Sequence, residues 1–203
     1  MIKLGVLLFF LTSSTWALST TSTRYEKGFF SLGLLSGYSQ TSILNTDGSY
    51  TGFTGTNYAV QLEVSLTQSD DGEIRFFSQW GHEDLKEESK VFKLTVDNQI
   101  LGLKFYSSPY LYLQGGYGQS IRKFKSSLES YKVQNPILSL AVGFDYPISE
   151  KLTLGVGGQY STNPIKKTSS INSNSFAESG QYFLNLTWSP PITIINNTTN
   201  SGR

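Results

Sequence analysis

In repeated runs between Gly28 and Trp188, apolar residues alternate with small or polar ones at period two, the mark of strands whose two faces meet different surroundings. The first run, Gly28 to Gln40, sets Phe30, Leu32, Leu34 and Tyr38 against Ser31, Gly33, Gly37 and Ser39, with Leu35 out of step. The second, Tyr58 to Thr67, sets Tyr58, Val60, Leu62, Val64 and Leu66 against Ala59, Gln61, Glu63, Ser65 and Thr67. In the third, Ile74 to His82, Ile74, Phe76 and Trp80 oppose Arg75, Gln79 and Gly81, while Phe77 and Ser78 break the rule. The fourth, Phe92 to Tyr106, becomes regular at Leu101, Leu103 and Phe105 against Gly102 and Lys104; the fifth, Tyr110 to Gly118, sets Leu111, Leu113 and Tyr117 opposite Gln114, Gly116 and Gly118. The sixth and seventh, Leu138 to Tyr146 and Leu152 to Tyr160, are the most regular. Pairing Phe144 with Leu154 aligns Val142 with Val156 and Gly143 with Gly155, and keeps every apolar side chain on one face. The eighth, Gln181 to Trp188, sets Tyr182, Leu184, Leu186 and Trp188 against Gln181, Asn185 and Thr187.

The connections alternate in length. Gln68 to Glu73, Ser107 to Pro109 and Pro147 to Lys151 read as short turns, whereas Thr41 to Asn57, Glu83 to Val91, Gln119 to Gln134 and Ser161 to Gly180 read as long polar loops. Strict alternation of this kind predicts an all-β, eight-stranded antiparallel up-and-down transmembrane β-barrel, with four long loops at one rim and both chain ends at the other.

Which face is the core follows from composition. Charged residues make up 15% of the 203-residue chain, and the polar rows are built from Ser, Gly, Ala, Thr and Gln with isolated charges, too few for a solvated surface. Aromatic residues such as Tyr38, Tyr58, Trp80, Tyr146, Tyr160 and Trp188 stand near the ends of the apolar rows, where interfacial girdles belong. The apolar rows are therefore expected to face lipid. The absence of cysteine removes disulfides, thiolate metal sites and a lipoprotein anchor, and a formal net charge of +1 gives no general attraction to nucleic acid.

Met1 to about Ser19 carries Lys3, the apolar run Leu4 to Leu11 and a small-polar stretch, the layout of a secretory signal peptide cleaved after Ala17 or after Ser19. The expected organisation is a signal peptide at 1–19, a short segment at 20–27, a single barrel domain at 28–188 and a polar tail at 189–203. No apolar run approaches the roughly 20 residues of a spanning helix. A backbone that crosses lipid without helices must close its strands into a barrel.

With these features, best shown by LSLAVGFDYPISEKLTLGVGGQY at Leu138 to Tyr160, the chain resembles the outer-membrane β-barrel domain family, the group of the OmpA transmembrane domain and OmpX. The resemblance implies a place in the bacterial outer membrane, contact with outer-membrane lipid and lipopolysaccharide, and no cofactor. It departs from the family at its end: Ser189 to Arg203 follow Trp188, so the aromatic signal that insertion machinery reads is expected to be internal or altered.

Four charges fall in the polar rows, Glu63, Arg75, Lys104 and Asp145. Pointing inward, they are expected to form an interior network with Gln61, Gln79, Gln114 and Gln159, either filling the lumen or gating a narrow ion path, because buried charge is costly unless paired. Arg122, Lys123 and Lys125, with Lys166 and Lys167, read as basic loop segments able to touch lipopolysaccharide or another extracellular partner. His82 has no second histidine and no serine in Trp80-Gly81-His82-Glu83, which argues against a metal site and against a lipid A-modifying enzyme. Gly115-Gly116-Tyr117-Gly118 and Gly155-Val156-Gly157-Gly158 lie within strands, so they read as small residues in a narrow lumen rather than phosphate loops. Eight strands leave room for side chains and little else, which excludes a wide pore. The expected role is a monomeric, non-enzymatic barrel with a structural or surface-interaction function carried by its four long loops, ahead of a narrow ion channel and, last, a lipid A-modifying outer-membrane enzyme.

Overall fold

The computed structural model describes residues 28–44, 48–69, 72–87, 92–108, 110–125, 130–163 and 177–190. The expected leader at 1–19, the segment 20–27, the tail beyond residue 190, and Lys166 and Lys167 lie outside the described residues. Eight strands follow one another: β1 (Phe30–Leu44), β2 (Tyr50–Ser69), β3 (Gly72–Glu87), β4 (Lys93–Tyr106), β5 (Leu111–Lys125), β6 (Ser130–Pro147), β7 (Leu152–Thr162) and β8 (Ala177–Trp188). Each pairs antiparallel with its sequence neighbours, and β1 pairs with β8 to close the barrel. Following the pairing from Phe30 through Val64, Phe76, Leu103, Gly115, Leu140, Tyr160 and Gly180 returns to β1 at Gln40, ten positions beyond the start. A shear of that size requires strands tilted by about 40° to the barrel axis.

The apolar rows face outward. Leu34, Leu140, Leu154 and Leu184 are 47–61% exposed, whereas Ser31, Glu63, Arg75 and Asp145 in the alternate rows are at most 2% exposed. Leu35 and Phe77, the residues out of step, belong to the inward row; Phe77 is wholly buried against Ile100 and Ile137. A bulge at Ser65/Thr67 then leaves both Leu66 and Thr67 exposed, so Thr67 does not join the polar row. Tyr38, Tyr58, Trp80, Tyr117, Tyr160 and Tyr182 stand outward at one edge of the apolar belt, and Phe30, Phe105, Phe144, Tyr146 and Trp188 at the other. On β1 the two edges are eight residue steps apart, Phe30 to Tyr38. At about 3.3 Å per residue and about 40° of tilt the belt is roughly 20 Å high, close to the apolar band of outer-membrane barrels.

Two expectations are corrected. Most of the residues read as long loops are strand: β1 and β2 remain paired up to Leu44 and Tyr50, β3 and β4 to Lys86 and Lys93, and β5 and β6 to Lys125 and Ser130. Only 45–49, 88–92, 126–129 and 163–176 connect strands at this rim. The strands thus rise past the aromatic residues as a collar, and there the alternation changes sign. Ile43, Phe53, Leu85, Leu94, Val96, Phe124 and Ala177 turn inward into one apolar cluster, while Thr54, Thr56, Lys86, Lys93 and Lys125 face out. A collar surrounded by water needs its apolar residues inside, as any soluble barrel does. The second correction concerns β6 and β7: Phe144 pairs with Val156, Val142 with Gly158 and Gly143 with Gly157. The slip of two residues preserves which face each side chain takes. It arises because Pro147 still pairs with Thr153, and a tight turn follows in which Ile148 and Ser149 donate their N–H groups to the Leu152 carbonyl at 2.8 and 3.1 Å.

Candidate functional site

The lumen is filled in layers. At the turn end Arg75 lies wholly buried; its Nη1 donates to Ser31 Oγ at 2.7 Å, its Nη2 to the Gly28 carbonyl at 2.8 Å, and its Nε lies 2.7 Å from Glu73 Oε1. Nη1 also lies 3.7 Å from Glu63 Oε2. Lys104 projects from β4 into the same layer and donates to Glu63 Oε1 at 2.8 Å and to Asp145 Oδ2 at 3.5 Å. The Tyr106 hydroxyl and the Asn185 amide donate to Asp145 at 2.6 and 3.0 Å. The Lys104 ammonium sits 3.9 Å from the ring centroid of Tyr112, a cation–π contact in a dry environment. Cations and carboxylates therefore alternate across the barrel, so each buried group faces one of opposite sign.

Glycine makes this layer possible. Gly155 stands between Asp145 and Asn185 in the pairing, and a Cβ there would collide with the Asp145 carboxylate. A Cβ on Gly143 would meet the Tyr112 ring, and one on Gly157 the Phe183 ring.

Above the ion pairs, glutamines cross the lumen. Gln61 donates to Glu63 at 2.8 Å and to Gln114 at 3.2 Å; Gln114 donates to Gln79 at 3.4 Å, and Gln79 to Gln159 at 3.3 Å. The four charges and four glutamines singled out in the sequence are thus brought together inside the barrel. The next layer centres on Glu83, 1% exposed, which accepts from Ser39, from Asn98 at 2.8 Å and from Gln181 at 2.8 Å. Arg122 reaches inward from β5, donates to Asn163 Oδ1 at 2.7 Å and attracts Glu83 electrostatically. The apolar cluster of the collar closes the far end, with Phe53 and Phe124 edge to face at 6.3 Å.

The basic segment is divided by this geometry. Arg122, Lys123 and Lys125 belong to β5 and not to a loop; Arg122 is buried in the lumen, whereas Lys123 and Lys125 face outward. Glu73, Glu83 and the inward Arg122 escaped the sequence reading. For Glu73 and Glu83 the signal is the odd-numbered row of β3 that contains Arg75 and Gln79, continued in both directions.

On the outer wall His82 lies beside Tyr58, ring centroids 4.9 Å apart, just above Trp80. Strand pairing supplies the companions that the sequence did not reveal: His82 Nδ1 is 2.6 Å from Asp97 Oδ1, its Nε2 is 3.7 Å from Asp84, and Lys123 donates to Asp97 Oδ2 at 2.8 Å. Among the described residues no group of three or more His, Cys, Asp or Glu side chains is arranged to hold a metal ion.

A closed antiparallel barrel with an apolar belt outside, aromatic edges and a polar, filled interior defines an outer-membrane β-barrel protein. No protein-family model and no curated protein sequence matches the chain. Among solved structures it is similar to the neisserial surface protein A, with a TM-score of 0.54, 14% identity, and coverage of 81% of this chain and 99% of that one. It is also similar to Ail, the attachment invasion locus protein of Yersinia pestis, with a TM-score of 0.47, 16% identity, and coverage of 80% and 99%. The N-terminal barrel domain of Pseudomonas aeruginosa OprF gives 0.48, 11%, 80% and 98% in the same terms. At these identities the likeness is one of fold.

Proposed function

We propose that the protein is a non-conducting, non-catalytic barrel whose role is structural and interactive, with the collar presented at the cell surface. The observation that carries this reading is the succession of filled layers along the lumen, from Arg75 through the glutamines and Glu83 to the cluster around Phe124. An ion path would have to open both a network of charges that pair with one another and a dry apolar layer, each costly to separate from its partners. The collar, by contrast, spends strand length on a rigid wall standing above the lipid, a scaffold suited to contact. The neisserial structure of like fold is named a surface protein, which accords with this reading. The interior charges serve here to hold the wall together rather than to gate it.

Two measurements test the proposal. Refolded full-length protein in planar bilayers is expected to give no resolved conductance steps; stable single-channel openings would sink the closed-lumen reading. Because the chain has no native cysteine, Lys125→Cys and Glu150→Cys report the two rims separately. A membrane-impermeant maleimide applied to whole cells is expected to label the first and spare the second, and the reverse pattern would overturn the orientation.

A further inference from the structure

The collar carries its cations on one side. Lys86, Lys93 and Lys125 face outward on β3, β4 and β5 and stand directly opposite one another, Lys86 to Lys93 and Lys93 to Lys125; one row lower Lys123 stands opposite Lys132 of β6. Like charges placed directly across a sheet destabilise it. Lys123 is offset by Asp97, but among the described residues Lys86, Lys93, Lys125 and Lys132 have no carboxylate within ion-pair distance. The outer face of the other four strands carries Glu178 as its single charged residue among those described. A solubilising collar would intersperse both signs around the whole circumference. This one gathers five lysines over four adjacent strands, against Asp84 and Asp97 as the outward carboxylates of those strands among the described residues.

Height decides what can reach it. From Trp80 to Lys86, from Tyr117 to Lys123 and from Leu138 to Lys132 the step is six residues. That places these lysines about 15 Å above the aromatic edge. A phospholipid headgroup layer is only about 5–8 Å thick per leaflet. Phosphodiester groups of ordinary phospholipids therefore lie well below most of the row. An anionic lipid with a tall headgroup, phosphate groups carried on a saccharide, has its charge at the right level.

We propose, resting on the surface orientation above, that the outer wall of β3–β6 is a docking surface for a phosphorylated glycolipid of the outer leaflet. Its acyl chains lie against the apolar belt, and its saccharide phosphates are held by Lys86, Lys93, Lys125 and Lys132. Lysine binds phosphate as a point charge with three donors, and adjacent ammonium groups meeting a multiply charged anion exchange mutual repulsion for attraction.

The test uses full-length protein refolded in phosphatidylcholine vesicles and titrated with lipopolysaccharide, with enzymatically dephosphorylated lipopolysaccharide, and with a soluble sulfated polysaccharide. The native chain is expected to bind intact lipopolysaccharide at least tenfold more tightly than the triple variant Lys86→Gln, Lys93→Gln, Lys125→Gln, and dephosphorylation is expected to remove that difference. The substituted positions are exposed, so a heat-modifiable gel band should show the variant folded; Thr54→Gln and Thr56→Gln on β2 supply a folded control with native binding. Equal binding by the triple variant, or undiminished binding of dephosphorylated lipid, overturns the proposal, and tighter binding of the soluble polysaccharide than of lipopolysaccharide replaces the lipid with a free polyanion. Failure of the rim-labelling experiment with lysine-dependent binding intact would implicate the orientation instead.

Discussion

Lys104 shows how much one side chain holds in place. It joins Glu63 to Asp145 and packs over Tyr112, and it is 1% exposed. Replacing it with Met keeps the volume but leaves two buried carboxylates facing each other. The expected loss is about 3–5 kcal/mol, as for other buried pairs broken on one side. A lowered urea midpoint, followed by the heat-modifiable gel shift in detergent, would register it. Adding Glu63→Gln to Lys104→Met should recover part of the loss, since it removes one of the stranded charges; no recovery would mean that Lys104 acts through packing alone. That these residues meet was legible in the sequence because Glu63, Arg75, Lys104 and Asp145 occupy the rows opposite Leu62, Phe76, Leu103 and Phe144. Which charge pairs with which was not legible, for it depends on the stagger accumulated around the barrel.

Register is the corresponding question for a pair of strands. Alternation specifies the face a residue takes but is unchanged by a slip of two, so the apolar pattern of β6 and β7 admits Val142 opposite either Val156 or Gly158. The turn at Pro147 to Leu152 selects the second. In a chain without native cysteine, Val142→Cys with Gly158→Cys should cross-link on mild oxidation, and Val142→Cys with Val156→Cys should not. A disulfide in only the second variant would restore the pairing expected from the apolar pattern. The collar was hidden for a related reason. At Ile43, Phe53, Leu85, Leu94 and Phe124 the apolar residue stands in the row that lower down is polar, so a search for outward apolar rows stops at the membrane edge and reads polar loop beyond it. A search for alternation of either sign would have carried β3 on to Leu85.

Taken whole, the molecule has two environments stacked along one axis, an inverted barrel in lipid and an ordinary one in water, and the aromatic edge marks where they meet. Eight strands and their order were readable from periodicity, though not how far they extend; the identity of a partner was not readable, since contact chemistry on a collar depends on residues far apart in sequence that only pairing brings together.

The lysine row also bears on how the protein reaches its final position. In the orientation proposed above the collar ends on the far side of the membrane from where the chain arrives and must be carried across, and each lysine exposed to the bilayer midplane costs about 2–4 kcal/mol. Five of them on four neighbouring strands make a free passage through hydrocarbon slow, so transit calls for a sheltered route, either within the forming cylinder or along an assembly factor. Spontaneous insertion of the triple glutamine variant into preformed vesicles should accordingly outpace that of the native chain in a gel-shift time course, while equal rates would show that the opposite rim leads the way in.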